Sequence, residues 1–251
     1  MIIDSHCHIT SLPAAIREKV LEALKGRFCL IDSSIDLESC AASLKLSENN
    51  RFVYSSLGFH PFSAEKFNND TISVYEKLIE SSPKVVSIGE VGLDFKAGAS
   101  LKQQEEILEA FIRLAVKLNL PLVIHNRLGS RHILDILKGF YDSFEKVVFH
   151  CFSYPLEFLE KIIEKNGYVS FSLNILRGNE ELLASLKACP VKNMLLETDS
   201  PYMRIGKRTS TPDDITEVYS FASEVKGIGL TELEDEVFSN AKKVYKFHNL
   251  I

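Results

Sequence analysis

Eight short apolar runs recur along the chain, each bounded by turn residues. They are rich in β-branched and aromatic residues and are apolar nearly throughout, rather than at alternate positions. This pattern is typical of strands that are buried on both faces of a parallel sheet. The predicted strands are Ile2–His6, Phe28–Asp32, Phe52–Gly58, Lys84–Glu90, Pro121–His125, Lys146–His150, Gly167–Ser172 and Asn193–Thr198.

Stretches with helical periodicity fill most of the intervals between these runs. A final helix is expected to start at Thr231, because the spacing from Thr231 to Glu234 suits a capping box. The other predicted helices are Leu37–Leu46, Thr71–Ser81, Leu101–Leu118, Ile133–Phe140, Leu156–Lys165, Glu180–Lys187 and Asp214–Val225.

Strand and helix therefore alternate along the chain, which favours an α/β fold with a parallel sheet covered by helices. The strand count favours a closed (β/α)8 TIM barrel over an open doubly wound sheet. No Gly-x-Gly-x-x-Gly follows the first run, which removes the main support for a dinucleotide fold. The length of 251 residues suits one such barrel, and no linker or repeat divides the chain. We expect a single domain over residues 1–251.

Residues with metal-binding side chains stand at the ends of these runs. Five of the seven histidines lie there, and so do two acidic residues. Parallel strands in a closed barrel direct their carboxyl ends to one face, where barrel enzymes build their sites. The sequence therefore predicts a polynuclear metal centre from the following residues, with His60 close by: His6, His8, Glu90, His125, His150 and Asp199.

A first metal site is expected where the first and last strands meet. His6 and His8 are two residues apart, so both imidazoles point the same way in an extended strand. Asp199 follows the last strand, which neighbours the first when a barrel closes. Taken alone, the two histidines would also be compatible with a polar end to an ordinary strand.

A second site is expected at the fifth and sixth strands, which end in His125 and His150. Glu90 has two carboxylate oxygens and can contact both ions at the separation of about 3.5–4 Å that two-metal hydrolases use. We therefore expect two divalent ions, with Zn²⁺, Mn²⁺ and Mg²⁺ as the candidates.

Further residues near these motifs are candidates for substrate contact. Arg127 shares the side of the extended chain on which His125 lies and can bind a phosphate, although a surface ion pair is the alternative. Asp94 can orient a ligand histidine or cap a loop. His60 precedes a proline and is either a substrate contact or a buried structural histidine. Ordinary roles are expected for the two histidines in helical stretches, His132 and His248.

A basic segment follows Asp199 directly, with positive charges at Arg204, Lys207 and Arg208. We expect it to form a loop at the mouth of the site that binds phosphates, and a solvated surface loop is the alternative. The next helix is well marked, because Thr211 can cap it and Pro212 suits its first position.

Composition and charge narrow the class of protein. Hydrophobic residues make up 45% of the chain, and no apolar run approaches the roughly 20 residues that span a bilayer. A membrane anchor and a signal peptide are therefore not expected. Five cysteines without a Cys-x-x-Cys pair favour a reducing cytoplasm. The net charge of −5 argues against a protein that coats duplex nucleic acid, but it does not exclude an anionic substrate.

Several motifs, spread from the first strand to the last helix, form a specific set. They are His6-Cys7-His8, Gly58-Phe59-His60-Pro61, Gly89–Phe95, Pro121–Arg127, His150-Cys151-Phe152-Ser153, Leu196–Tyr202 and Asn240–Tyr245. The set resembles the TatD-like metal-dependent hydrolases, relatives of the amidohydrolases. Two positions depart from the pattern: Phe62 stands where a second histidine is common, and Tyr154 stands where glycine is common.

The resemblance implies a TIM barrel with divalent metal bound by the six residues named above. It also implies hydrolysis of phosphodiesters in nucleic acid, usually as a 3′–5′ exonuclease. Glu90 is informative here, since many amidohydrolases carry a carboxylated lysine on the fourth strand.

The leading hypothesis is a metal-dependent phosphodiesterase acting on DNA or RNA ends, with Glu90 and Asp199 catalytic and Asp199 accepting the proton. Arg127 and the basic segment would hold flanking phosphates. No obligate protein partner is evident. One alternative is an ester or amide hydrolase, such as a D-aminoacyl-tRNA deacylase. Another is a non-catalytic binding module, which would not need a complete ligand set.

Overall fold

The computed structural model describes residues 1–127 and 132–247. Eight strands pair in parallel in the order in which they occur along the chain. The predicted (β/α)8 barrel is confirmed. Its strands are β1 (Ile2–Cys7), β2 (Phe28–Ser33), β3 (Val53–Phe59), β4 (Val85–Asp94), β5 (Leu122–Arg127), β6 (Val147–Phe149), β7 (Tyr168–Phe171) and β8 (Met194–Leu196).

Backbone hydrogen bonds just beyond β8 bring the last strand against the first. The Asp199 amide donates to the His6 carbonyl at 3.0 Å, and the His8 amide donates to the Ser200 carbonyl at 2.7 Å. Asp199 has a left-handed φ of 52° at this point. The seam that closes the barrel therefore holds Asp199 beside the two histidines of β1.

α-Helices alternate with the strands, and each buries an apolar face against the sheet or its neighbours. No helix within the described ranges is both long enough and apolar enough to cross a membrane. The helices are α1 (Ala14–Leu24), α2 (Leu37–Asn49), α3 (Thr71–Glu80), α4 (Leu101–Leu118), α5 (His132–Lys138), α6 (Leu156–Ile163), α7 (Glu180–Ala188), α8 (Ile215–Lys226) and α9 (Leu230–Val244).

Two helices differ from the sequence prediction. Helix α1 was not predicted, because its buried residues are only Val20 and Leu24 and its apolar stripe is sparse. The predicted start of α9 at Thr231 is wrong. The helix begins at Leu230 after Gly229, without a side-chain cap, so Thr231 lies inside the first turn.

Strand β4 runs past its predicted end at Glu90 and stops at Asp94. Glycines allow this extension. Gly92 has a φ of +156°, and a Cβ there would lie 1.8 Å from the His125 carbonyl oxygen. A Cβ on Gly58 of β3 would lie 2.1 Å from the Glu90 nitrogen. Only glycine fits at these two positions, and the close approach of β4 to β3 and β5 sets the depth of Glu90 and Asp94.

The basic segment predicted as a loop forms a small hairpin. Strand β9 (Arg204–Ile205) pairs in antiparallel fashion with β10 (Arg208–Thr209). A 3₁₀ turn with Pro212 in its first position then leads into α8, as the sequence indicated. The Thr211 amide donates to Asp214 Oδ2 at 2.9 Å.

Candidate metal centre

The side chains predicted to bind metal converge at the carboxyl end of the barrel. They come from three strands, β1, β4 and β5, and from the positions just beyond β1, β6 and β8. Their nitrogen and carboxylate oxygen atoms form three groups, and within each group the atoms lie within 4.8 Å of one another. The groups are His6 with Glu90 and His150, His6 with His8 and Asp199, and His60 with Glu90 and His125.

Glu90 lies at the centre of this cluster and is almost completely buried. Its Oε2 is 2.8 Å from His150 Nε2 and 3.1 Å from His125 Nδ1, while its Oε1 is 3.4 Å from His8 Nε2. Burial alone would raise the pKa of Glu90, but the imidazoles of His150 and His60 outweigh it and hold this pKa well below its usual range. The two oxygens of a charged carboxylate therefore face the two predicted halves of the centre.

Ser33, at the end of β2, orients His6 of β1 and His8, which directly follows β1. Its carbonyl lies 2.8 Å from His8 Nδ1, and its hydroxyl lies 3.1 Å from His6 Nδ1. A carbonyl can only accept, so His8 Nδ1 carries the proton and, in the neutral ring, Nε2 keeps its lone pair. That lone pair faces Asp199 Oδ1 at 3.5 Å. The sequence prediction missed Ser33, although its place directly after a predicted strand was a usable signal.

Asp94 and His125 form a second oriented pair. Asp94 is fully buried, and its Oδ2 lies 3.2 Å from His125 Nε2. The outer nitrogen of His125 therefore faces a carboxylate, while Nδ1 faces the centre. Arg127 Nη1 is 4.0 Å from the same Asp94 oxygen, and its side chain is 50% exposed. The predicted orienting contact of Asp94 is present in the structure.

Glu197 stands behind His150 in the same way. Its Oε1 is 3.4 Å from His150 Nδ1 and accepts a hydrogen bond from the Cys151 amide at 2.8 Å. Burial raises the pKa of Glu197. The sequence prediction overlooked this residue, although it lies two positions before Asp199 in the same motif.

The inward ring nitrogens lie close to one another, at 3.2 Å between His6 Nε2 and His8 Nε2 and at 3.2 Å between His125 Nδ1 and His150 Nε2. Two lone pairs at this distance repel unless a proton or a cation lies between them. Burial lowers the pKa of His8, His125 and His150, but the nearby carboxylates outweigh it and raise all three. The cluster therefore stabilises positive charge, and its nitrogen and oxygen ligands suit a divalent metal ion.

The neutral ring of His60 carries its proton on the other nitrogen from that of His8. Its Nδ1 accepts a hydrogen bond from the Phe62 amide at 3.1 Å, so the neutral ring carries its proton on Nε2. Burial lowers the pKa of His60 to about 4, which keeps the ring neutral. A protonated nitrogen cannot bind a metal ion. His60 is therefore better suited to donate a hydrogen bond than to serve as a ligand, despite its proximity to Glu90.

A cavity of about 280 Å³ opens above the centre. Arg127 reaches this cavity, as predicted for a substrate contact. The three basic residues of the hairpin do not line it, and all three are exposed. The cavity is lined by Ile35, His60, Phe62, Glu90, Asp94, His125, Arg127, His150, Asp199 and Tyr202.

Arg208 pairs with Asp214 and does not line the cavity. Its guanidinium forms two hydrogen bonds with the Asp214 carboxylate, one from Nη1 to Oδ2 at 2.7 Å and a second from Nη2 to Oδ1. This pairing raises the pKa of Arg208 and cancels its charge locally. Arg204 and Lys207 are the hairpin cations left to attract an anion. Of the two histidines expected to be ordinary, His132 is exposed on α5 and contacts Glu105 Oε1 at 2.8 Å, and His248 lies outside the described residues.

The family profile described as TatD related DNase matches residues 3–246. The chain belongs to the TatD family. Metal-dependent hydrolysis is therefore its general activity, and the oriented histidines and carboxylates are the groups that such an activity requires.

Relatives match this TatD-family chain over nearly its whole length. A metal-dependent hydrolase of Methanocaldococcus jannaschii is 30% identical over 97% of this chain and 96% of its own. A protein of Pantoea vagans named 3′-5′ ssDNA/RNA exonuclease TatD is 29% identical over 98% of this chain and 99% of its own. The crystal structure of YjjV, a TatD homologue from Escherichia coli, has a TM-score of 0.90 at 26% identity and covers 97% of both chains.

Proposed function

We propose that this TatD-family hydrolase cleaves phosphodiester bonds at the ends of single-stranded DNA or RNA. It would remove one terminal nucleotide at a time in the 3′–5′ direction. The observation that carries the proposal is the set of inward-facing ring nitrogens around the charged Glu90 carboxylate. The names of several relatives support the substrate class. The cavity of about 280 Å³ also supports action at an end, because it is slightly smaller than the roughly 300–1,000 Å³ typical of ligand pockets.

In this proposal the centre takes two divalent ions. His6, His8 and Asp199 would hold one, His125 and His150 the other, and Glu90 would contact both. When bound, the ions supply Lewis acidity and lower the pKa of a coordinated water.

The side chains around the centre have separate tasks. Asp199 lines the cavity with its side chain 14% exposed, so it can accept a proton from the attacking water. His60 can donate from Nε2 to a phosphate oxygen. Arg127 can bind a phosphate next to the cleaved bond, since half of its side chain is exposed.

The direct test is digestion of end-labelled DNA and RNA oligonucleotides by chelator-treated protein, with and without Zn²⁺, Mn²⁺ or Mg²⁺. Shortening by single nucleotides from the 3′ end, dependent on metal, is the expected result. Internal cuts, or turnover only of an ester such as D-aminoacyl-tRNA, would contradict the proposal. Binding of substrate without turnover under any metal would favour a binding module.

Metal stoichiometry tests the other part of the proposal. Titration calorimetry of the metal-free protein should saturate at two ions per chain. Saturation at one ion would refute the two-ion centre while leaving the hydrolase assignment intact. The five free cysteines agree with a reducing cytoplasm, which we include in the proposal.

A further inference from the structure

Two large aromatic side chains stand exposed at the mouth of the cavity. Phe62 is 54% exposed and Tyr202 is 56% exposed, and both line the cavity above the metal-binding side chains. Among the described residues, these are the only large hydrophobic side chains that are both exposed and part of its lining. Exposed apolar surface that adjoins a polar cavity is typical of a ligand-binding site.

Both rings are held from one side by residues of the centre. The Phe62 ring centroid lies 5.0 Å from that of His60, and the Phe62 amide is bonded to His60 Nδ1. The Tyr202 ring lies 4.7 Å from the His8 ring in an edge-on arrangement. Its amide donates to the Asp199 carbonyl at 3.0 Å. The rings are thus anchored to the centre while more than half of each remains open to solvent.

The mouth of the cavity is divided into two chemically different arcs. Tyr202 follows β8, Ile35 follows β2 and Phe62 follows β3, so these side chains form an apolar arc on one side of the barrel. Arg127, at the end of β5, forms a cationic arc beyond it, with half of its side chain exposed and the buried Asp94 carboxylate 4.0 Å from its Nη1. A ligand that suits both arcs has a flat apolar ring at one end and an anionic group at the other.

A nucleotide has this distribution, because its sugar separates the base from the phosphate. We propose that Phe62 and Tyr202 form a stacking subsite for the terminal base, with the adjoining phosphate turned toward Arg127. The inference rests on the proposed function and deepens it. Bases inside a duplex have both faces covered by their neighbours, so stacking on protein rings selects unpaired ends without reading sequence.

The test compares two single-stranded oligonucleotides that differ only in whether the 3′-terminal nucleotide carries a base. Phe62→Ala and Tyr202→Ala should each raise KM for the normal oligonucleotide by roughly 5- to 150-fold, the range for loss of one stacked base. The value of kcat should hardly change, because the contact is made in the ground state as well. On the abasic oligonucleotide the same variants should match the wild type.

Matched variants separate stacking from general disturbance. Phe95→Ala is the control, since Phe95 is 44% exposed just beyond β4 but does not line the cavity. Tyr202→Phe and Phe62→Tyr keep an aromatic ring and should leave KM close to the wild-type value. The chain contains no tryptophan, so Phe62→Trp would introduce a single fluorophore whose emission should be quenched by the normal oligonucleotide and not by the abasic one.

Equal KM penalties on both oligonucleotides, or none on either, would overturn the stacking subsite. Fluorescence anisotropy with the same two labelled oligonucleotides distinguishes this failure from failure of the proposed function. Base-dependent Kd values without cleavage would refute the exonuclease and keep the subsite. Cleavage with base-independent Kd and KM values would keep the exonuclease and refute the subsite.

Discussion

The two ends of the barrel carry cavities of different size and different chemistry. The cavity at the amino end is the larger, at about 710 Å³, and lies beside the starts of β1, β2 and β3. Its floor is mostly apolar, with Phe28, Phe52 and Tyr54, and its rim carries separate charges. Among the described residues, groups of metal-binding side chains occur only at the carboxyl end, above the smaller cavity. Volume is therefore a poor guide to function in this protein, and convergence of reactive groups is a better one.

Charged groups also have different tasks at the two ends. At the amino end, Lys84 Nζ donates to the carbonyls of Arg51 at 2.6 Å and Val53 at 3.2 Å and lies 4.2 Å from the Tyr54 ring centroid. These contacts satisfy backbone carbonyls at the start of β3 and in the turn before it. At the carboxyl end, the polar side chains satisfy one another and leave lone pairs pointing inward. We expect changes at the carboxyl end to affect turnover and changes at the amino end to affect stability.

The largest effect is expected for Glu90→Ala. Loss of the central carboxylate should lower kcat by about 10³-fold or more, in the range found for single catalytic groups. The far-ultraviolet circular dichroism spectrum should not change, because the Glu90 side chain contacts the histidines of the centre rather than the apolar side chains of the core. A wild-type kcat in this variant would contradict a central role of Glu90 in turnover. Loss of the helical circular dichroism signal would show instead that Glu90 is needed for folding.

Asp94→Asn should have the next largest effect. Asn keeps the shape of the side chain but not the charge facing His125 Nε2, so metal affinity should fall by about 10- to 100-fold at one of the two sites. Calorimetric titration measures this change. Asp135→Asn is the control, since Asp135 is exposed on α5 and forms an ion pair with Lys138 on the surface. Equal loss of affinity at both sites would show that Asp94 does not act through His125 alone.

At the amino end, Lys84→Ala should lower the free energy of unfolding by about 2 kcal/mol, because it removes charged hydrogen bonds and a cation–π contact. Thermal or urea unfolding measures this loss. The value of kcat should stay within twofold of the wild type. Lys102→Ala is the matched control, since Lys102 forms an exposed ion pair of 3.9 Å with Glu106. A large fall in kcat for Lys84→Ala, measured where the variant is fully folded, would contradict the separation of stability and turnover between the two ends of the barrel.

The smallest effect is expected in the hairpin. Arg204→Ala with Lys207→Ala should raise KM for an oligonucleotide several-fold and reduce the salt slope of binding by about 0.7 for each lost phosphate contact. Arg208→Ala should leave both values unchanged, because Asp214 already neutralises Arg208. If Arg208→Ala has the larger effect, the pair with Asp214 must open when the substrate binds.

The amino-acid sequence by itself determined the barrel and the positions of the metal-binding side chains. Eight buried apolar runs with helices between them leave few other folds, and parallel strands in a barrel end at one face whatever the details of packing. His6, Glu90 and His150 could therefore be placed together although they are far apart along the chain. Helix α1 could not be predicted, because its few buried residues leave almost no periodic signal.

The tertiary structure alone decided which way each of these side chains is turned. Ser33 and Glu197 orient histidines from other strands, and the Phe62 amide makes His60 a donor, whereas the motifs only made it a candidate for the site. The pairing of Arg208 with Asp214 likewise removes a charge that the sequence shows as available. The reason is physical: secondary structure and strand order follow from local periodicity, but proton positions and net charges depend on partners a few ångströms away. Some of those partners, Ser33 and Glu197 among them, come from distant parts of the chain.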